Sequence, residues 1–237
     1  MPVLIVTGTG TEIGKTVATA AVAAVARARG RSAAVLKPAQ TGVAADEPGD
    51  VAEVLRLAGP VTGVELARFP EPLAPATAAC RAGLTPVRPD EIDRTARKLA
   101  AEHDLVLVEG AGGLLVHLDE SGATLADAAR LLDAPVLIVA PAGLGALNAT
   151  ALTAEALRAR GLRCHGVVIG SWPDAPDLAA RCNLADFPKS AHAPLLGALP
   201  ERAAALDPAD FRAAAASWLA PELGGTWDAG RFGAERG

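Results

Sequence analysis

Aromatic side chains are scarce: the 237 residues include no tyrosine, four phenylalanines and three tryptophans. Alanine and valine must therefore fill whatever core the chain builds. Cysteine is scarce as well. Cys80, Cys164 and Cys182 are odd in number and far apart, which excludes a disulfide framework and paired thiolate ligands and suits a reducing compartment. They read more simply as small core residues. Positive charge is in deficit, with 22 Lys and Arg against 27 Asp and Glu, giving a formal charge of −5. That is the wrong sign for a protein living on phosphate backbones, so no nucleic-acid partner is expected. Long apolar runs are missing too. The stretch 17–26 is too short to cross a bilayer, and the apolar run after Met1 has no basic flank. No membrane partner and no export signal are expected, and the cytoplasm is the expected location.

Hydrophobic residues nonetheless make up 51% of the chain and charged ones 21%, a globular balance that excludes disorder and collagen. Short apolar runs at 3–6, 33–36, 105–108, 135–139 and 166–169 alternate with helix candidates at 15–29, 50–58, 90–102, 124–132 and 146–160. Continuous apolar strands of this kind are buried on both faces, as in a parallel sheet. The alternation predicts an α/β fold with a doubly wound, mostly parallel sheet flanked by helices and a binding crevice at the carboxyl ends of the strands. Residues 1–223 are read as a single domain. Residues 60–89, rich in proline and small side chains, read as an irregular excursion with a short helix near 76–81. The last 14 residues hold five glycines, so 224–237 reads as a flexible tail.

The first strand runs straight into Thr7-Gly8-Thr9-Gly10-Thr11-Glu12-Ile13-Gly14-Lys15-Thr16, and an alanine-rich helix follows. Strand, glycine loop, Gly-Lys-Thr and helix is the context a phosphate-binding P-loop needs. Backbone N–H groups can curl around phosphate oxygens, Lys15 can reach the outer phosphates, and the Thr16 hydroxyl can meet Mg²⁺. The loop has one residue more than the usual spacing. A dinucleotide fingerprint fits worse, because three positions after Gly10 lies Ile13. The competing reading is a tight turn with a solvated lysine.

Two further strand ends carry chemistry. The run 33–36 ends in Lys37-Pro38-Ala39-Gln40-Thr41-Gly42, and a lysine beside the crevice is costly to desolvate unless an anion sits nearby. Downstream lie Asp46, Glu47 and Asp50, the last at an expected helix start, where it could be a metal ligand or simply a cap. The run 105–108 delivers Glu109-Gly110-Ala111-Gly112-Gly113. An acid directly after four apolar strand residues is where a Walker-B-type metal ligand belongs.

Together, the lengthened loop 8–16, Lys37-Pro-x-x-Thr-Gly42 and Val108-Glu-Gly-Ala-Gly-Gly113 closely resemble the dethiobiotin synthase family, over the chain to about Pro200. The segment Leu144-Gly145-Ala146-Leu147-Asn148 looks like a fourth family segment. The resemblance implies an ATP-dependent cyclo-ligase that builds a ureido ring from 7,8-diaminononanoate and CO₂, through a carbamate and its mixed anhydride with phosphate. By the same resemblance Lys37 and Lys15 are catalytic, and Thr16, Asp50 and Glu109 hold Mg²⁺. The nucleoside triphosphate would be met by residues 12–17 (Glu12, Ile13, Gly14, Lys15, Thr16 and Val17), by Asp50 and Glu109, and by Gly110, Ala111 and Gly112. Gly170, Ser171, Pro200, Glu201 and Arg202 would lie by its base. The substrate would touch Thr11, Lys37 and Thr41. Its carboxylate would sit at a helix N-terminus given by the partner subunit of a homodimer, at Gly145, Ala146, Leu147 and Asn148.

One departure stands out. Family members often place an asparagine after the strand at 167–169 to read the adenine edge, whereas this chain has Gly170-Ser171-Trp172-Pro173. Base discrimination is then expected from backbone groups or from the 200–202 loop, and selectivity for ATP is expected to be weaker. The alternative function is a switch ATPase of the partition or division-site type, but those carry a signature lysine where this chain has Gly10. An amidoligase related to cobyrinate synthesis would need a glutaminase domain that the residues past Pro200 are too few to supply. The four histidines share no helical spacing and are given no metal or base role.

Overall fold

The structure, a computed structural model, describes residues 2–236 and the side chains of residues 2–234. Among the described residues the elements run β1 (Val3–Gly8), α1 (Lys15–Ala28), β2 (Ala33–Thr41), α2 (Asp50–Ala58), β3 (Thr62–Phe69), α3 (Pro75–Ala82), α4 (Pro89–Glu102), β4 (Leu105–Gly113), α5 (Leu125–Leu132), β5 (Val136–Ala140), α6 (Ala146–Ala159), β6 (Cys164–Trp172), α7 (Leu178–Ala191), β7 (Leu195–Pro200), α8 (Pro208–Ala214) and α9 (Ala229–Arg236). The strands form one sheet in the order β3-β2-β4-β1-β5-β6-β7, and every pairing in it is parallel. Parallel strands need crossover helices on the faces, which bury both sides. Every residue of β1 and β5 is accordingly buried. No helix among the described residues is long and apolar enough to cross a membrane.

Small side chains do fill the core. On α1, Ala18, Ala20, Ala21 and Ala23 are all at zero exposure, so this helix lies close against the sheet with its loop end at the carboxyl edge. The few rings are spent at depth, with Phe69, Phe187 and Phe211 fully buried. The cysteines depart from expectation: Cys80 and Cys182 are exposed and only Cys164 is half-buried.

The segment read as an irregular excursion is ordered by the sheet. Residues 62–69 form β3, paired in register from Ala34↔Thr62 to Thr41↔Phe69. Its polar and small residues read as loop because β3 is an edge strand and lacks the double burial that gives an apolar run. The glycine-rich C-terminus is likewise built into the fold. Gly225 and Trp227 donate backbone N–H bonds to the carbonyls of Ala220 and Leu219 at 3.0 and 2.9 Å. Trp227 is buried, and Phe232 on α9 meets Trp172 edge to face with ring centroids 5.2 Å apart. The aromatic contacts in a chain so poor in rings supply the burial that glycine counting overlooked. Gly237, the end of the expected tail, lies outside the described residues, as does Met1.

Candidate active site

Four strand ends meet at the carboxyl edge of the sheet. β1 feeds the loop 9–14, and Lys15 is the first residue of α1. Gly14 sits at φ +91°, and a Cβ there would fall 2.3 Å from the Gly170 carbonyl oxygen. Only glycine meets both demands, so the loop lies flat on the end of β6. Glu12 is held at φ 57°, an uncommon conformation for a residue with a side chain and one that gathers at ligand clamps. The Lys15 ammonium donates to the Gly10 carbonyl at 2.8 Å, curled over its own loop. Burial lowers the Lys15 pKa, and the nearby charge of Lys37 pushes the same way, against weaker support from Glu109 and Asp50.

Lys37 comes from β2, Asp50 from the first turn of α2 and Glu109 from β4. Lys37 Nζ donates to Glu109 Oε1 at 2.9 Å and to the Gly110 carbonyl at 3.3 Å, and it is ion-paired with Asp50 Oδ2. Thr16 Oγ1 donates to the same Glu109 Oε1 at 2.9 Å. Burial alone would lower the Lys37 pKa, but the two carboxylates outweigh it and hold the group above its ordinary value. Asp50 also faces the positive end of the α2 dipole.

These residues open on a cleft of about 840 Å³. Of the residues singled out from the sequence, Thr11, Glu12, Ile13, Gly14, Lys15, Thr16, Val17, Lys37, Thr41, Asp50, Glu109, Ala111 and Gly112 line it. Gly110 contributes its carbonyl to Lys37. Gly170 and Ser171 come just before β6 ends at Trp172, Gly170 lying against the loop and Ser171 exposed. Glu201 and Arg202 are tied to the loop beyond β6: the Glu201 carboxylate accepts from the Asp174 N–H at 3.1 Å, and Arg202 pairs with the Asp174 carboxylate. Pro200 closes β7. Gly145, Ala146, Leu147 and Asn148 stand outside the cleft, at the start of α6, beside Leu144 at 93% exposure.

Two parts of the cleft went unrecognised in the sequence. Pro72, Leu73, Ala74 and Pro75 form an apolar wall together with Val43 and Val116. They fall mostly in the segment read as irregular, and a run of prolines and small residues before a helix was the available signal. The other is Gln40, buried and accepting the Asp50 N–H on its side chain, which in the sequence stands inside the Lys37 motif with no signal of a role.

A divalent ion fits the residues present. Glu109 is 1% exposed, and its Oε2 has no hydrogen-bond partner. A buried carboxylate oxygen left bare is costly unless a cation takes it up. Among the described residues no group of three or more His, Cys, Asp and Glu is suited to hold a metal. Glu109, Asp50 and Thr16 would share such an ion with phosphate oxygens, the usual way Mg²⁺ is held.

A glycine loop between strand and helix, a buried lysine at its end and an acid on the neighbouring strand define a P-loop nucleotide-binding α/β protein. A family model described as an AAA domain matches residues 3–209. The ATP-dependent dethiobiotin synthetase of Streptomyces avermitilis is 70% identical over 98% of both chains. That of Streptomyces coelicolor is 68% identical over the full length of both, and that of Mycobacterium tuberculosis is 48% identical over 94% of this chain and 100% of its own. The chain belongs to the ATP-dependent dethiobiotin synthetase family. Among solved structures, a ParA family ATPase from Chlorobium tepidum matches with a TM-score of 0.57 at 12% identity over 94% of both chains. The MinD cell division protein of Aquifex aeolicus matches at 0.54 and 14% over 90% of this chain and 86% of its own. At such identities these likenesses show the fold alone. They do not favour the switch-ATPase alternative.

Proposed function

We propose that this protein makes dethiobiotin from 7,8-diaminononanoate, CO₂ and ATP, with release of ADP and phosphate. The single observation that carries the reading is that two buried ammonium groups, Lys15 and Lys37, come from separate strand ends to one cleft that also holds the Glu109–Thr16 pair and Asp50. The activity for which relatives up to 70% identical are named supports it. One amine of the diamine adds to CO₂ and loses a proton, giving a carbamate. A carbamate oxygen takes the γ-phosphoryl group, and the second amine then closes the ring as phosphate leaves. Lys15 neutralises charge on the phosphoryl group in transit, and Lys37 lies where it can serve both carbamate and phosphate oxygens. Mg²⁺, when bound by Thr16, Asp50 and Glu109, supplies further positive charge for the transferring phosphoryl group. Thr11 and Thr41, which line the cleft, offer hydroxyls to the diamine.

The start of α6 suits the substrate carboxylate through the N–H groups of its first turn beyond Ala146, whose own N–H is taken by the Gly143 carbonyl, reached from a second copy of the chain. A protein that is monomeric at assay concentration yet fully active would exclude the shared site. Base selectivity is expected to be weak, since no asparagine follows β6 and the Glu201 and Arg202 side chains are already engaged with residue 174. Competition of CTP and GTP against ATP tests this, and a strong preference for ATP would refute it. The deciding assay supplies diamine, bicarbonate, Mg²⁺ and ATP and looks for dethiobiotin by mass. Phosphate release indifferent to the diamine would point instead to a switch ATPase.

A further inference from the structure

Helix α2 begins without a cap of its own. Its N-cap position is Gly49, which has no side chain to accept from the first-turn N–H groups. The acceptor arrives from another element. Gln40 on β2 takes the Asp50 N–H on its Oε1 at 2.8 Å, and its amide Nε2 donates to the Thr41 carbonyl at 3.3 Å. Gln40 is only 4% exposed, so both ends of its amide are spent inside the protein. A Cβ at Gly49 would lie 2.7 Å from Gln40 Oε1, 2.9 Å from Gln40 Cδ and 3.0 Å from Arg68 Nη2. Gly49 has ordinary extended φ and ψ of −100° and −168°, which alanine adopts freely. The absence of a side chain there is therefore explained by space, and the space is filled by Gln40.

We propose that Gln40 is a positioning residue: it caps α2 from the neighbouring strand and thereby fixes Asp50 beside Lys37, where Asp50 can hold the divalent ion. The inference rests on the reading of Asp50 as a metal-holding residue. Gln40 itself touches neither phosphate nor diamine in this role. It links the strand that carries the catalytic lysine to the helix that carries the acid, so the two charges keep one spacing. Arg68 on β3 braces the same connection, donating to the carbonyls of Ala44 and Glu47 at 2.8 and 2.5 Å while its guanidinium is paired with Glu65.

Two substitutions break the bond in different ways. Gln40→Met keeps the volume and removes the acceptor, while Gly49→Ala leaves every polar group in place and pushes Oε1 off the Asp50 N–H. Binding of Mn²⁺ to the full chain with a non-hydrolysable ATP analogue, read by electron paramagnetic resonance, is the measurement. Each variant should weaken Mn²⁺ by about tenfold, the lower range for residues that orient a metal ligand. The two together should be no worse than the worse single change, because they remove the same bond. Hydrogen exchange at the Asp50 amide of the nucleotide-free protein should quicken in both. Asp50→Asn separates the possibilities. If it weakens Mn²⁺ while Q40M and G49A bind as the parent does, Gln40 has no positioning role and the reading of Asp50 stands. If Asp50→Asn leaves Mn²⁺ affinity unchanged, the metal reading of Asp50 fails, and the inference with it. A melting temperature lowered with Mn²⁺ affinity kept would mean the cap is structural only and would also overturn the proposal. Should Q40M not fold, G49A decides alone.

Discussion

Gly170→Ala is the sharpest test of how the phosphate loop is seated. A Cβ on residue 170 would lie 2.0 Å from the Ile13 carbonyl oxygen, 2.7 Å from Val139 Cγ1 and 3.1 Å from Gly14 Cα. Ordinary contact begins near 3.4 Å, so loop and strand would have to part by roughly 1 Å or more. Neither side gives easily. β6 is held between β5 and β7 through Ala140↔Ile169 and Ile169↔Ala198, and the loop is pinned to β5 by the Thr9 N–H on the Val139 carbonyl at 3.0 Å. Overpacking of this kind costs about 1–3 kcal/mol. In a chain of this length each kcal/mol lowers the melting temperature by about 2–4 °C. A phosphate loop displaced by about 1 Å should also lose on the order of 100-fold in turnover. Thermal melting reads the first effect and steady-state turnover the second, with calorimetric nucleotide titration showing whether the displaced loop still binds. Gly10→Ala, whose Cβ would meet only Ile13 Cγ2 at 3.9 Å, serves as the stability control and should melt with the parent. A G170A protein that melts with the parent and binds nucleotide equally well would refute the account of the loop's seat.

Lys37→Met should cost about 3–5 kcal/mol by urea denaturation, because it strands the buried Glu109 carboxylate without its counter-charge. Adding Glu109→Gln should restore most of that stability and none of the activity, and a double variant no more stable than the single one would count against the ion-pair account. Trp227→Ala should destabilise by about 3–5 kcal/mol, since the ring is buried and stacks at a tilt on Phe232 at 5.5 Å. Parent-like melting would return the C-terminus to the tail the glycines suggested. Asp119 accepts from the Ser121 hydroxyl and from the Ser121 and Ala123 N–H groups, which hold its carboxyl below the ordinary range. A depressed carboxylate stabilises the fold above its unfolded value of about 3.9 and loses that contribution as pH falls through the folded value. The stability gap between the parent and Asp119→Asn should therefore be steady from about pH 7 to 5 and close below about pH 4; a gap unchanged at about pH 3 would contradict the assignment.

The sequence made the interior strands legible and left the edges dark, for one physical reason. β1, β4 and β5 are covered on both faces, so burial writes itself as an unbroken apolar run. β3 at the edge carries Glu65 and Arg68, and that composition reads as loop. β7 at the other edge and α7 carry no clear sequence signal either. α7 carries Pro188 inside it and ends at His192 in a left-handed conformation, against the usual signals for a helix and its stop. The C-terminus failed in a different way. Glycine count predicts freedom only where nothing nearby can be buried, and here two tryptophans and Phe232 find one another across more than fifty residues of chain.

At the site the charged residues announced themselves and their supports did not. Lys15, Lys37 and Glu109 are conspicuous because ionic groups at the ends of apolar strands demand partners. Gln40 and Gly49 are individually ordinary, and so are Gly14 and Gly170. Each matters through a neighbour far away in sequence: Gly49 is small because Gln40 occupies its side-chain space, and Gly14 because Gly170 lies beneath it. Spacing along the chain therefore finds the groups that meet the ligand, whereas the groups that hold them steady become visible only when strand ends are brought side by side. If that division is correct, substitutions at the supports should alter metal and nucleotide affinity without changing any charge in the cleft, an effect that charge-based reasoning from the motifs alone does not foresee.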